Sequence, residues 1–255
     1  MSKLAVVSPE KSKALLPLDA ARTVAFKTKT GVFIYHFRHI SIEDWERYYA
    51  SIVNQVIQTK DGRDQVFETE SAALDLVDRT LKSVDGYGDL DQLKMLSEPG
   101  KNWKNYLPLR HRIAAAIALR AVGVTPREDA APSLSTSIEI SLDANWGAAA
   151  DGKTTQYSGL IHRFRQPGIA DLKRFNFESA RTRVSVAGDA AVTTYPSRQA
   201  IAMKIYDDLI ESVDGYSVGG LALTSVEEIR REMDGAHKAA AALALFEQGD
   251  EIVIE

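Results

Sequence analysis

Two stretches of this chain carry the same residue pattern, and that repetition constrains its fold more than any other feature. The segment Phe33 to Tyr48 aligns with Leu160 to Phe175 through Ile34/Ile161, Phe37/Phe164, Arg38/Arg165, Ile42/Ile169, Asp44/Asp171 and Arg47/Arg174. Two further blocks recur in the same order. Ser83-Val-Asp-Gly-Tyr87 reappears as Ser212-Val-Asp-Gly-Tyr216, and His111 to Leu119 reappears as His237 to Leu245. The step is 127 residues at Phe37/Phe164, 129 at Gly86/Gly215 and 126 at His111/His237. Loops have changed length while the blocks kept their order. A period this long lies far above the roughly 20–50 residues of solenoid repeats. The expected organisation is therefore two tandem homologous domains.

The chain has 255 residues, enough for two bodies of moderate size, each with its own core. Residues 1–20 show no apolar period and read as an extended arm, loose or laid on a neighbouring subunit. The first domain is expected over 21–125. Pro126 to Pro132 is the linker, and the second domain spans 133–255.

Each repeat reads as a β-hairpin followed by amphipathic helices, an α+β unit with a small antiparallel sheet. Val24, Phe26 and Thr28 alternate, Lys29-Thr-Gly31 turns, and Val32 to Phe37 returns. Ser41 with Asp44 three residues on resembles a capping box. Trp45, Tyr48, Tyr49, Ile52, Val53 and Val56 then follow at helical spacing. In the second repeat Leu134 to Leu142 alternates as a strand and Tyr157 to Phe164 returns, with Pro167 and Gly168 before the next helix. Helices are expected over Ala73–Val84 and Ala202–Val213, each closed by the glycine of Val-Asp-Gly-Tyr. Further helices are expected over Leu109–Val122 and Ser225–Phe246, a short hairpin at Val184–Asp189, a weaker one around Thr59–Gly62, and a terminal strand over Glu251–Glu255.

Several chemistries have no sequence support. There is no phosphate-binding glycine loop, no dinucleotide fingerprint, no nucleophile elbow and no His-Glu-x-x-His. The absence of cysteine excludes disulfides and thiolate metal sites. His36 and His39 stand near a strand end, but their counterparts Arg163 and Gln166 cannot build the same metal site. No metal and no cofactor is expected. The net charge of −4 argues against nucleic acid as a partner. No run approaches the 18 apolar residues of a membrane span, so no membrane partner is expected. Arg38 with Asp44, and Arg165 with Asp171, read as ion pairs that fix a turn, or as arginines that anchor a partner. The candidate partner-binding residues are Arg38, Arg165, Tyr87 and Tyr216. His111 and His237 begin alanine-rich helices, where they bond locally, face solvent or share a polar contact at an interface. Asp85 and Asp214 read as turn formers.

The run Phe164-Arg-Gln-Pro-Gly-Ile-Ala-Asp171 resembles the tail assembly chaperones of tailed bacteriophages. There, a strand ending in an arginine and proline motif precedes an acidic helix start. Phe37-Arg-His-Ile-Ser-Ile-Glu-Asp44 is a less faithful copy, with isoleucine for proline. Val213 to Ile229 is similar to that family's next segment. The resemblance implies a non-enzymatic tail morphogenesis protein, chaperone-like for tail components. Its partners would be the tape-measure and tail-tube proteins, in the host cytoplasm during assembly. The tandem form departs from the family's single unit and leaves open a structural subunit of the virion, contacting neighbouring subunits, with a homo-oligomer compatible with either role. An enzyme of unrecognised type is the third reading; it requires a pocket that joins groups such as Asp61 or Glu70 with His111.

Overall fold

The computed structural model describes residues 10–12, 14–88, 103–125, 137–148 and 151–247. The chain is α+β. In the first half, β3 (Thr23–Thr28) and β4 (Gly31–Phe37) form a hairpin, and β7 (Leu81–Asp85) pairs with β4. Helices α1 (Ile42–Ala50), α2 (Glu70–Thr80) and α3 (Leu109–Leu119) complete this half. In the second half, the 12-residue strands β9 (Ser137–Ala148) and β10 (Thr154–Arg165) form the hairpin, with β13 (Ile210–Asp214) on β10. Helices α4 (Ile169–Ala180), α5 (Arg198–Leu209), α6 (Val226–Glu232) and α7 (Gly235–Glu247) follow the same order, α6 having no counterpart among the described residues of the first half.

The corresponding sheets share register as well as order. Tyr35 faces Val84, and His36 faces Ser83. A bulge between His36 and Phe37 then brings Phe37 opposite Leu81. Likewise His162 faces Val213 and Arg163 faces Ser212, and a bulge between Arg163 and Phe164 brings Phe164 opposite Ile210. The extra residue is Lys82 in one half and Glu211 in the other. Each bulge turns two residues three apart, Leu81/Val84 and Ile210/Val213, into the core.

That bulge corrects the expected helices over 73–84 and 202–213. Both helices stop at Thr80 and Leu209, and the following five residues are strand. A bulged strand and a helix both bury residues at a spacing of three, so periodicity alone does not separate them. The glycines of Val-Asp-Gly-Tyr therefore end strands, not helices. They remain special: Gly86 and Gly215 have φ of 91° and 92°. A Cβ on Gly86 would stand 2.2 Å from the Val32 carbonyl oxygen, so no side chain fits without moving backbone.

Other boundaries shift for local reasons. Helix α1 ends at Ala50 because Ser51 folds back, its N–H and hydroxyl both donating to the Arg47 carbonyl. Ile52, Val53 and Val56 thus belong to the connection and to β5 (Val53–Gln58). Helix α3 ends at Leu119, and Val122–Val124 is β8, paired with β9. The expected helix over 225–246 is two, broken at Met233 and Asp234. The Asp234 carboxylate restarts it by accepting from the Ala236 N–H at 2.9 Å. Strand β9 runs on to Ala148, past the expected end at Leu142. The linker 126–132, residues 134–136 of the expected strand and the terminal segment 251–255 lie outside the described residues.

Contacts between the halves are extensive. The hairpin β5–β6 (β6, Arg63–Glu68) and the hairpin β11–β12 (Arg183–Ala187 and Ala190–Thr194) form one four-stranded antiparallel sheet, ordered β11-β12-β5-β6. Trp45 of α1 is fully buried in a cluster that includes Met203, Ala236 and Ala239 of the second half. The amino-terminal segment also crosses over. β1 (Glu10–Ser12) runs parallel to β10, and β2 (Leu16–Pro17) runs parallel to β14 (Tyr216–Val218), which also pairs with β15 (Leu221–Ala222). Leu16 and Leu18 are buried in the second-half core. Residues 14–20 are thus neither loose nor laid on another subunit; they pack on their own chain.

Candidate functional site

The repeated strand–turn–helix unit is held by one device in both halves. Arg38 sends two parallel bonds to Asp44, Nη1 to Oδ2 at 2.6 Å and Nη2 to Oδ1 at 3.0 Å. Arg165 does the same to Asp171 at 2.7 and 3.0 Å. The same carboxylates cap the helices, accepting from the Ser41 N–H at 3.1 Å and the Gly168 N–H at 2.9 Å. A bidentate guanidinium–carboxylate fork fixes direction as well as charge. Burial pushes the Asp44 carboxyl up, but the bonds from Arg38 and Ser41 and the charges of Arg38 and Arg79 outweigh it and hold it below the ordinary range. The Arg165 fork, opposed by slight burial, also lowers Asp171.

The two clasps differ in depth. The Asp44 side chain is buried and also bonds Arg79, whereas Asp171 is more exposed. Asp44→Ala should cost about 1.5–3 kcal/mol, the range for a hydrogen bond to a charged group. Asp171→Ala should cost at most about 1 kcal/mol, as for an exposed pair. Chemical unfolding of both variants checks the difference.

Two more polar pairs recur at equivalent positions with different bases. His36 bonds Asp85 at 2.6 Å where Arg163 bonds Asp214 at 2.6 Å. Arg112 bonds Asp78 where Lys238 bonds Asp207. Asp85 and Asp214 therefore serve as cross-strand partners besides lying at turns. His39 is occupied too, its Nδ1 lying 3.0 Å from the Leu18 carbonyl and tying down the amino-terminal segment. Among the described residues, no group of three or more His, Asp or Glu side chains is placed to hold a metal.

Tyrosine and histidine form a hydroxyl chain in each half. In the first half, Tyr35 and Tyr87 hydroxyls lie 2.8 Å apart, and the Tyr87 hydroxyl lies 2.6 Å from His111 Nδ1. In the second, His162 replaces Tyr35. Its two ring nitrogens meet Tyr206 at 2.9 Å and Tyr216 at 2.7 Å, and Tyr216 reaches His237 Nδ1 at 2.8 Å. Burial holds both His162 and His237 neutral: His162 is pushed well below the ordinary histidine range, with His237 adding to it, and His237 falls to about 3, with the Arg22 charge adding to it. Burial likewise raises Tyr87 to about 12. A neutral, water-excluded chain of this kind organises a core.

This geometry reassigns the residues expected to touch a partner. Tyr216 is buried with its hydroxyl shared by two histidines, so it has no surface to offer; this corrects its assignment. Tyr87 is half-buried and bonded to His111. Arg38 and Arg165 hold the turn, as the ion-pair reading expects, with their outer edges still in solvent. His111 Nδ1 is taken by Tyr87, and neither Asp61 nor Glu70 bonds it. An apolar cavity of about 180 Å³ lies between β3, α3 and β9, lined by Phe26, Ile117 and Thr154 among others, and no charged side chain faces it.

The accessible apolar surface lies elsewhere, on residues that sequence reasoning missed. Helix α1 buries Trp45, Tyr48 and Tyr49, whereas α4 buries only Phe175. Its other large apolar side chains are exposed, Ile169 at 74 % and Phe177 at 71 %. Phe67 on β6 and Val184 and Val186 on β11 are equally exposed. The alternation Val184-Ser-Val186 in a short hairpin was the one available signal.

No protein-family model matches the chain, and neither a curated protein nor a solved structure does. Among the described residues, no helix is long and apolar enough to cross a membrane.

Proposed function

We propose that this chain is a non-enzymatic morphogenesis protein of a tailed bacteriophage or prophage, acting through protein–protein contacts and chaperone-like for tail components. The observation that carries this reading is the clasped turn leading into α4, which exposes Ile169, Leu172 and Phe177. A rigidly oriented helix that exposes large apolar side chains suits the recognition of another amphipathic helix, as a tape-measure protein would supply. His162, His237, Tyr206 and Tyr216 are taken up in a buried chain, and Asp44 in an ion pair with Arg79.

Co-expression with tail-tube and tape-measure proteins encoded in the same genome tests the proposal. A complex that survives purification, and that is lost in Ile169→Asp, is the expected result. Failure to bind either protein removes the chaperone reading. A structural subunit of the particle is the second reading, favoured by the two edges of the four-stranded sheet, β6 and β11, that are open among the described residues. Detecting the protein in purified particles separates the two.

A further inference from the structure

The shared sheet joins the halves by repetition, not by a two-fold axis. Its order, β11-β12-β5-β6, reads first strand, second strand, first strand, second strand of the two hairpins. A two-fold would have placed like strands together. A joint that repeats in this way is heterologous, and nothing in it stops after one step. It leaves β11 open at one end and β6 at the other, each paired on one side only among the described residues.

We propose that copies of this chain associate head to tail, β6 of one copy pairing antiparallel with β11 of the next, while α4 of the second copy packs on α2 and α3 of the first. This deepens the assembly reading above but rests on its own observations; because the contact covers α4, only the terminal copy of an assembly keeps that helix open to the partner proposed above. The internal joint supplies the register. There, Thr193 faces Val56 and Thr194 faces Gln55. Counting from the helix-proximal ends of the hairpins, where Val53 pairs with Glu68 and Arg183 with Thr194, the equivalent pairs between copies are Phe67 with Val186 and Glu68 with Ser185. Phe67 and Val186, at 65 % and 76 % exposure, thus land opposite each other on one sheet face. Arg183 at one end meets Glu68 and Glu70 at the other, so the edges are also complementary in charge.

The helices give a second, independent match. Inside the chain, Trp45 of α1 sits against Gly235, where a Cβ would stand 2.5 Å from the Trp45 Cβ. The residue equivalent to Trp45 is Leu172, and the residue equivalent to Gly235 is Leu109; both are exposed. A large side chain against glycine inside the chain becomes leucine against leucine between copies.

Sedimentation of the full-length protein over a wide concentration range tests the proposal. A mass that grows beyond a dimer, as a ring or a filament, is expected. Phe67→Asp and Val186→Asp should each be monomeric and should unfold like the native chain, because both side chains are exposed. Mixed together, each variant retains the end the other lacks, so they should form a one-to-one complex that grows no further. Leu109→Ser and Leu172→Ser repeat the test at the helices, away from the strands. A native chain that stays monomeric, a single variant that dimerises with itself, or a mixture that fails to associate would overturn the proposal. Self-assembly without binding to tube or tape-measure proteins would retain it and remove the chaperone reading; partner binding by a permanent monomer would do the reverse.

Discussion

Trp45→Ala is expected to destabilise the protein by about 3–5 kcal/mol, the range for a large aromatic truncated in a core. Three losses coincide. The ring is fully buried and packs on Tyr48 and Tyr49 with centroids 5.9 Å away in each case. It closes the joint between the halves against Gly235 and Met203. Its Nε1 donates to Asp234 at 2.9 Å, and Asp234 in turn lies 3.5 Å from the buried Arg22 guanidinium. Arg22 also stacks over Trp146, 4.1 Å from its centroid, and donates to the Asn145 carbonyl, so Asp234 links both halves to one buried cation. The same change at the equivalent residue, Leu172→Ala, should cost less than about 0.5 kcal/mol in the dispersed monomer, because its site is at the surface. Urea unfolding of the two variants measures the contrast, and similar losses at both positions would contradict the packing described here.

The second large effect is a loss of stability on mild acidification. His162 and His237 are neutral in the folded state, both held below the ordinary range by burial. In the unfolded chain each takes up a proton near pH 6.5. Between that value and about 3 for His237, the unfolded state binds more protons than the native one, so stability falls as pH falls. The stabilisation is complete above about pH 6.5. Below it, each buried histidine removes about 1.4 kcal/mol per pH unit. Unfolding free energies measured from pH 7 to 5 should therefore slope steeply, with His111, also lowered by burial, adding to the slope, and His162→Gln should make it shallower. A flat profile would mean that these rings reach water.

Much of the local structure is legible in the sequence because its causes are local. The Asp44 cap and its arginine clasp involve residues at most six positions apart, and their duplicate at Asp171 is visible by alignment alone. The hairpin over 23–37 follows from alternation and turn residues; of the one over 183–194 only Val184–Asp189 was legible, and its return strand Ala190–Thr194 was not. The strands β7 and β13 were not legible as strands. Their bulges at Lys82 and Glu211 reproduce helical spacing, and only the partner strand reveals them. The histidines that begin α3 and α7 stood out as a repeated pair, but their tyrosine partners come from the Val-Asp-Gly-Tyr turn some 20 residues away. The break at Asp234 was hidden because that residue answers to Trp45, 189 positions earlier.

The sequence by itself determined the elements that short-range chemistry dictates: alternating strands, capped helix starts and a clasp written twice. The tertiary structure alone decided which copy of each surface is covered. Trp45 and Leu172 stand at the same step of the same motif, yet one is buried and the other open to solvent. The difference arises because the joint between the halves is directional. It covers one face of the first half with one face of the second, and leaves β6 and β11 paired on one side only among the described residues. Residue periodicity records which side of a helix is apolar, but not which body, if any, comes to lie against it.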